Sequence, residues 1–153
     1  MTHTIHGWPV SDHVYALNMP PDATGRAESD GMPPVNATEH EEQKRLFSRV
    51  DGVLAVYPIL RWVFAVPNGG YRHPATAGKM KSEGQKAGVP DILFPVPLGA
   101  HIGLAIEMKV GRNKPTKKQE AWLDMLHECG WSVHVCYGAD EAWSVLMDYL
   151  AGE

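Results

Sequence analysis

The sequence predicts an α/β domain with a mixed β-sheet flanked by helices. Two capping boxes, at Thr38 and Thr116, mark the starts of two helices. Between them, apolar residues alternate along 92–96 and 102–108, which is typical of two strands of a hairpin. A strand over 131–137 and a last helix follow. The predicted core order is αβββαβ, with helices on the outside of the sheet.

Bulk composition is that of an ordinary soluble protein with one domain. The chain has 153 residues, of which 44% are hydrophobic and 21% charged. No apolar run approaches the ~20 residues of a membrane span, and no signal peptide is recognisable. Cys129 and Cys136 fall in a predicted helix end and a predicted strand. We therefore expect free thiols, no membrane association and a cytoplasmic location.

The chain divides into a leader, residues 1–37, and a folded domain, residues 38–153. Two Pro-Pro pairs and several Gly and Asp residues break up the leader, which shows no periodicity. Two interpretations remain open for it. The leader is either a disordered segment or an arm that contacts the domain or a second chain of a dimer.

The first half of the domain is predicted as a helix, a strand and a weak helix. The capping box predicts that the helix begins at Glu39, and apolar residues on one face predict that it continues to about Val50. Residues 61–66 are predicted to form a buried strand that ends at the turn 67–70. The weak helix spans 74–86 and contains two glycines.

The apolar pattern fixes the register of the predicted hairpin. If paired residue numbers sum to 198, Ile92 faces Ile106 and Phe94 faces Leu104, so the apolar residues share one face. A one-residue slip would move the whole set to the wrong face. The same register extends to Val96 opposite Ile102, with a loop over 97–101.

This register brings three charged residues together on the opposite face of the hairpin. Asp91 lies opposite Glu107, and Lys109 follows on the same face. Two carboxylates suit a hard cation such as Mg²⁺, and the backbone carbonyl of Met108 adds a third oxygen. Lys109 would orient or deprotonate an attacking water, or neutralise charge on a phosphate. The predicted chemistry is phosphodiester hydrolysis.

Three further polar residues are candidates for the same site. Glu39, at the start of a core-facing helix, would bind a second ion or orient water beside the first. Gln43 and Gln119 are long amides at the polar ends of apolar stripes, suited to bonding a ligand carboxylate or the substrate.

Each candidate also has a purely structural interpretation. Asp91 would be a turn residue, and Glu107 with Lys109 an exposed ion pair of little energetic value. Glu39 would favour the helix dipole, and Gln119 would serve only its capping box. Taken together, the spacing and the register favour a site.

The last elements are predicted from local signals. The helix that begins after Thr116 ends at Gly130, a residue suited to positive φ. The strand 131–137 follows it. Asp140 is predicted to cap the final helix, which presents an apolar face to the core.

Basic residues are concentrated in one stretch of an acidic chain. Residues 72–118 contain nine basic and three acidic residues, a net charge of +6, and the remainder carries −10. Such asymmetry favours a surface that faces phosphates, although a solvated helix face and a loop would also produce it. The candidate DNA-binding residues are Asn68, Gly69, Gly70, Arg72, Lys79, Lys81, Lys86, Arg112, Lys114, Lys117 and Lys118.

The motifs occur in the order found in a known family. Asp91 with Glu107-x-Lys109 resembles the PD-(D/E)xK nuclease superfamily, which has a restriction-endonuclease-like core. Four further motifs narrow the resemblance to one family of that superfamily, the virus-type replication-repair nuclease family, VRR-NUC. They are Glu39 to Gln43, the turn 67–70, the segment 88–91 and Gln119-x-x-Trp122. The likeness covers residues 38 to about 150.

The resemblance implies a specific activity. Such proteins are Mg²⁺- or Mn²⁺-dependent endonucleases whose catalytic core corresponds to Asp91, Glu107 and Lys109, and Glu39 and Gln119 match further active-site positions. Small stand-alone members, from phages and bacteria, resemble homodimers that cut branched DNA such as four-way junctions. A sequence-specific nuclease similar to restriction enzymes, and a non-catalytic DNA-binding module on the same fold, remain the alternatives.

Overall fold

The structure is a computed structural model that describes residues 3–5, 8–10, 37–67, 78–80 and 82–152. Four strands form one mixed sheet, and three helices of the domain pack around it. The predicted α/β architecture with a mixed sheet is therefore confirmed. No helix among these residues is long and apolar enough to cross a bilayer.

Within the leader, the structure describes one short hairpin. Strand β1 (His3–Ile5) pairs antiparallel with β2 (Trp8–Val10), forming a sheet of two strands. Apart from Ala37, the remaining leader residues lie outside the described part of the chain. Neither interpretation of the leader is tested.

Helix α1 (Glu39–Val53) begins at the predicted capping box. The Thr38 side chain accepts a hydrogen bond from the Glu41 N–H at 3.2 Å, and the Glu41 carboxylate accepts one from the Thr38 N–H at 2.7 Å. Leu46 and Val50 are buried, which fixes the face that packs on the sheet.

The segment predicted as a buried strand over 61–66 is mostly not a strand. A 3₁₀ helix spans Pro58–Trp62, and strand β3 (Phe64–Ala65) has only two residues. Proline at the start of the 3₁₀ helix and a bond from the Arg61 side chain to the Pro58 carbonyl stabilise the helical turn. Apolar content alone could not distinguish this helix from a strand.

The predicted register of the hairpin is confirmed where the strands pair. Strand β4 (Ile92–Phe94) lies antiparallel to β5 (Leu104–Lys109), with Ile92 opposite Ile106 and Phe94 opposite Leu104. The predicted pair Val96–Ile102 does not form within a strand. Instead, an isolated bridge joins Leu98 to His101 and closes a tighter turn.

Strand β6 (Ser132–Tyr137) completes the sheet in the order β3-β4-β5-β6. It runs parallel to β5, so β5 is a central strand with an antiparallel neighbour on one side and a parallel neighbour on the other. Every residue of β5 is buried, because the strand lies in the middle of the sheet and helices pack on both faces of the sheet.

The last two helices flank the sheet. Helix α2 (Lys117–Glu128) starts at the predicted Thr116 capping box, and Gly130 after its end has φ +94°, as expected for a helix stop. Helix α3 (Ala139–Ala151) presents Ala142, Leu146 and Tyr149 to the core. The core also contains Leu46, Val50, Leu60, Ile92, Phe94, Leu104, Ile106, Met108 and Cys136.

The predicted cap of the final helix is wrong. Gly138, not Asp140, precedes the first residue of α3, and no side chain of its own segment caps the helix. The Ala139 N–H donates instead to the carboxylate of Glu42 at 2.6 Å, across 97 residues of sequence. Asp140 pairs with Arg49 on the surface. Local sequence cannot reveal a cap that comes from another helix.

Candidate active site

The three charged residues of the hairpin converge where the register predicts. The pairing of Ile92 with Ile106, extended by one residue, places Asp91 opposite Glu107. Asp91 Oδ2 accepts a hydrogen bond from the Met108 N–H at 2.9 Å, and the Asp91 carbonyl accepts one from Val66 at 2.7 Å. Asp91 is thus fixed at the end of two strands.

Packing against helix α2 holds the turn before Asp91. Gly88 has φ +87°, and a Cβ atom there would come within 2.8 Å of the Lys118 backbone. Only glycine tolerates both this conformation and this distance. The segment 88–91 therefore lies directly against the first turn of α2.

Glu107 and Lys109 form a buried ion pair. Glu107 has no exposed surface and Lys109 is 5% exposed. Lys109 Nζ donates to Glu107 Oε1 at 2.7 Å and to the Met108 carbonyl at 3.1 Å. The interpretation of Glu107 and Lys109 as an exposed pair on a strand is therefore wrong.

Gln119 makes hydrogen bonds at both ends of its amide. Its Oε1 accepts from the Thr116 N–H at 2.8 Å, which completes the capping box of α2. Its Nε2 donates to Glu107 Oε1. One amide therefore joins the start of helix α2 to the buried carboxylate, and the capping bond fixes which end of the amide faces Glu107.

The two donors to Glu107 leave its second oxygen without a partner. Lys109 and Gln119 both bond Oε1, whereas the buried Oε2 has no hydrogen-bond partner among the described residues. Buried polar atoms in folded proteins are nearly always satisfied, so an orphaned carboxylate oxygen indicates a missing cation or donor.

Burial is the largest cause of a raised pKa at both carboxylates. Burial raises the pKa of Glu107 to about 7; the Lys109 hydrogen bond opposes this rise and the Asp91 charge adds to it. Burial likewise raises the pKa of Asp91, against the bond from Met108 and the charge of Lys109. A bound cation would offset the repulsion that the Asp91 charge exerts on Glu107, and it would favour the ionised form of both carboxyl groups.

The pKa of Lys109 is raised although burial alone would lower it. The hydrogen bond to Glu107 and the charges of Glu107, Glu39 and Asp91 outweigh the loss of solvation. The amine is therefore held as an ammonium within a group of carboxylates.

Glu39 lies at the open side of this cluster. Its Oε1 is 3.8 Å from Lys109 Nζ, and its side chain is 40% exposed. Asn113, in the loop after β5, donates to the same Glu39 oxygen at 3.3 Å. Sequence reasoning missed Asn113, because nothing in a basic loop marks one amide as a partner of a residue 74 positions away.

Gln43 is the candidate that the structure does not connect to the cluster. It is half-buried on α1, one turn after Glu39, and makes no hydrogen bond to the site among the described residues. Its predicted role therefore stays a prediction.

The donor set suits an ion held by few protein ligands. Across the described ranges, no group of three or more His, Cys, Asp and Glu side chains is arranged to hold a metal. Asp91 and Glu107 supply two neighbouring carboxylates, of which the buried Glu107 Oε2 has no partner among the described residues, and Mg²⁺ is commonly bound by one or two carboxylates plus water and phosphate. The residues present therefore fit Mg²⁺ or Mn²⁺.

The candidate DNA-binding residues fall into two groups. Six of them are exposed: Lys79, Lys86, Arg112, Lys114, Lys117 and Lys118. The other five lie outside the described residues: Asn68, Gly69, Gly70, Arg72 and Lys81. Lys117 and Lys118 occupy the first turn of α2, two residues or less from Gln119, so positive charge adjoins the carboxylate cluster.

Comparisons with known proteins agree with this geometry. Residues 70–140 match the model of the VRR-NUC domain family. A solved structure described as "VRR_NUC domain protein" aligns with a TM-score of 0.65 and 28% identity, covering 76% of this chain and 91% of the other. The resemblance to VRR-NUC is thereby confirmed. No curated protein matches this chain.

The VRR-NUC match indicates a general class of function. It covers β4, β5, α2 and β6, and with them Asp91, Glu107, Lys109 and Gln119. Glu39 precedes the matched range. VRR-NUC is a nuclease family, so residues 70–140 are similar to a nuclease domain, a class of domain whose implied substrate is DNA.

Proposed function

We propose that this protein is a Mg²⁺- or Mn²⁺-dependent endonuclease that cuts branched DNA, such as four-way junctions, during replication, repair or recombination. The observation that carries the proposal is the buried Glu107 Oε2, which has no donor among the described residues and adjoins the Asp91 carboxylate. The VRR-NUC match supports the nuclease class.

Asp91, Glu107 and the Met108 carbonyl would hold the ion, which supplies charge stabilisation at the scissile phosphate and a more acidic water. Gln119 and Lys109 bond Glu107 Oε1 and so keep Oε2 directed away from them. Their part is to fix the orientation of Glu107 before substrate binds.

Lys109 is the cation of the site. Its ammonium group bonds Glu107 and the Met108 carbonyl, which fixes it beside the carboxylates. It would stabilise the negative charge that develops on the phosphate, or orient the attacking water. Glu39, which is partly exposed, would accept a hydrogen bond from that water or hold a second ion.

We further propose that the protein acts as a homodimer in the cytoplasm of a bacterial or phage-infected cell. A two-fold dimer presents two sites to a junction that needs two symmetric nicks. The two free cysteines are compatible with a reducing compartment.

Cleavage of labelled junctions by Lys109→Ala tests the proposed function. Wild-type protein should cut a four-way junction with Mg²⁺ and not in EDTA, and Lys109→Ala should lose at least about a hundredfold in rate. Lys44→Ala, an exposed lysine on α1, is the matched control. Full cleavage by Lys109→Ala would contradict the mechanism. Cutting of linear duplex at one defined sequence would favour a restriction-like nuclease.

A further inference from the structure

Tyr137 lies beside the catalytic strand at the end of β6. In the parallel pairing of β5 with β6, Tyr137 is the partner of Lys109. The Gly138 N–H donates to the Lys109 carbonyl at 3.0 Å, which fixes the two strand ends together. Since neighbouring residues of paired strands project from the same face, Tyr137 and Lys109 share one side of the sheet.

The exposure of Tyr137 contrasts with that of its neighbours. Tyr137 is 45% exposed, whereas Lys109 is 5% exposed and Glu107 has no exposed surface. Cys136, the preceding residue, is fully buried on the core face. The Tyr137 N–H donates to the Glu141 carboxylate at 2.8 Å, so the backbone that carries the ring is held in place. An exposed aromatic ring thus borders a buried ionic cluster.

We infer that Tyr137 is a stacking platform for an unpaired nucleobase next to the scissile phosphate. The inference rests on the proposed function. Aromatic faces bind bases of any sequence, and such stacking is the common way that proteins hold single-stranded segments. In an intact duplex the bases already stack on each other, so reaching the ring requires unstacking.

Tyr137 would therefore give this chain a preference for branched or frayed DNA. At a branch point some bases have lost a neighbour, so they reach the ring at a lower free-energy cost. The charged surface around the site cannot provide this preference, because phosphate contacts are shared by every DNA structure.

Two other aromatic residues with similar exposure provide controls. Trp62 is 56% exposed and Phe64 is 46% exposed. They lie at or before β3, the edge strand opposite β6 in the sheet order. Removing the ring of Trp62 therefore removes an exposed aromatic side chain of similar kind without altering the surroundings of Lys109.

Binding without divalent ions tests the inference independently of cleavage. A four-way junction carrying 2-aminopurine next to the branch point is titrated in EDTA with wild-type protein, Tyr137→Leu, Tyr137→Phe and Trp62→Leu. Wild type, Tyr137→Phe and Trp62→Leu should quench the fluorescence on binding, because the base stacks on a ring. Tyr137→Leu should lose the quenching and bind about tenfold more weakly.

The outcomes separate the inference from the proposed function. Equal quenching and affinity in wild type and Tyr137→Leu would overturn the inference, as would cleavage by a wild type that shows no quenching. A change of oligomeric state in Tyr137→Leu, seen by sedimentation with unchanged DNA affinity, would overturn it in favour of a protein contact. Quenching by a wild type that never cuts with Mg²⁺ would support stacking and reject the nuclease. Absence of DNA binding by wild type would reject both.

Discussion

Glu107 combines full burial with donors on only one of its oxygens. Lys109 and Gln119 approach Oε1, and the Asp91 carboxylate lies near enough to raise the pKa of Glu107. A protein that needed only stability would gain by placing an apolar side chain there. The cation that we propose at Oε2 would explain the arrangement.

Gln119→Glu separates the capping role of this residue from its role at the site. Glutamate is the usual residue of a capping box, so helix α2 should still start at Thr116. The replacement removes the amide donor to Glu107 and adds a fourth carboxylate to Asp91, Glu107 and Glu39. We expect the free energy of unfolding in EDTA to fall by about 2 kcal/mol, measured by urea denaturation.

Lys117→Gln is the control for Gln119→Glu, because it changes the net charge by the same amount at an exposed position of the same turn. It should change stability by less than about 0.5 kcal/mol. Equal unfolding curves for Gln119→Glu and wild type would show that the bond to Glu107 has no energetic weight.

The sequence predicted the central residues because one periodicity determined their positions. A strand has two faces, so the apolar rows on β4 and β5 allowed only one register and thereby paired Asp91 with Glu107. Asn113 and the buried state of Lys109 were not predictable in this way. Both depend on contacts between elements far apart in the sequence.

At the scale of elements, Glu42 fastens helix α1 to helix α3. It is 3% exposed, its carboxylate accepts from the Ala139 N–H, and Arg45 bonds both of its oxygens at 2.9 and 2.8 Å. The adjoining Gly138 N–H donates to the backbone carbonyl of Lys109. These bonds therefore connect the helix that carries Glu39 to the end of strand β5.

Glu42→Ala should destabilise the protein by about 3 kcal/mol, because it leaves the start of α3 uncapped and removes one of the two carboxylate partners of Arg45. Glu42→Gln retains an acceptor for Ala139 and should cost about 1 kcal/mol. Urea denaturation measures both, with the exposed Glu120→Gln as control. A loss in Glu42→Ala no larger than that of the control would refute the capping role.

Gly138 and Gly52 form a matched pair for backbone effects. Gly138 has φ +93°, and a Cβ atom there would lie 3.2 Å from the Glu42 carboxylate, whereas Gly52 in α1 has nothing within 4 Å. Gly138→Ala should lower the free energy of unfolding by about 1–2 kcal/mol. Gly52→Ala should raise it by about 0.5 kcal/mol. Thermal unfolding of both variants measures the difference, and equal effects would contradict this account.

Element boundaries were predictable where side chains act locally. Both capping boxes form as expected, because each needs only residues three positions apart. Most of the strand predicted over 61–66 was wrong, because its apolar content did not distinguish a 3₁₀ helix from a strand. The cap predicted at Asp140 was wrong because the actual cap comes from Glu42, on another helix.

At the scale of the whole molecule, charge is distributed unevenly along the chain. The stretch 72–118 carries +6 and the remainder −10, and the described basic residues of that stretch other than Lys109 are exposed. An acidic body should repel DNA everywhere except at this surface. The uneven charge would then orient the protein on DNA before any specific contact forms.

Salt dependence of DNA binding tests this charge distribution. Replacing Lys117 and Lys118 by glutamine should reduce the slope of log K against log salt by about 2, because each phosphate contact contributes about one unit. Fluorescence anisotropy in EDTA at several salt concentrations measures the slope. Lys44→Gln, outside the basic stretch, should leave it unchanged. A slope that falls equally in Lys44→Gln would contradict a localised DNA surface.

The central claim is that Asp91 and Glu107 share an ion. A crystal soaked in Mn²⁺ and measured at the manganese absorption edge tests it most directly. We predict an anomalous peak between the two carboxylates, with Glu107 Oε2 as a ligand, and no peak in Glu107→Gln. Full Mn²⁺ occupancy elsewhere, with none between Asp91 and Glu107, would contradict the account.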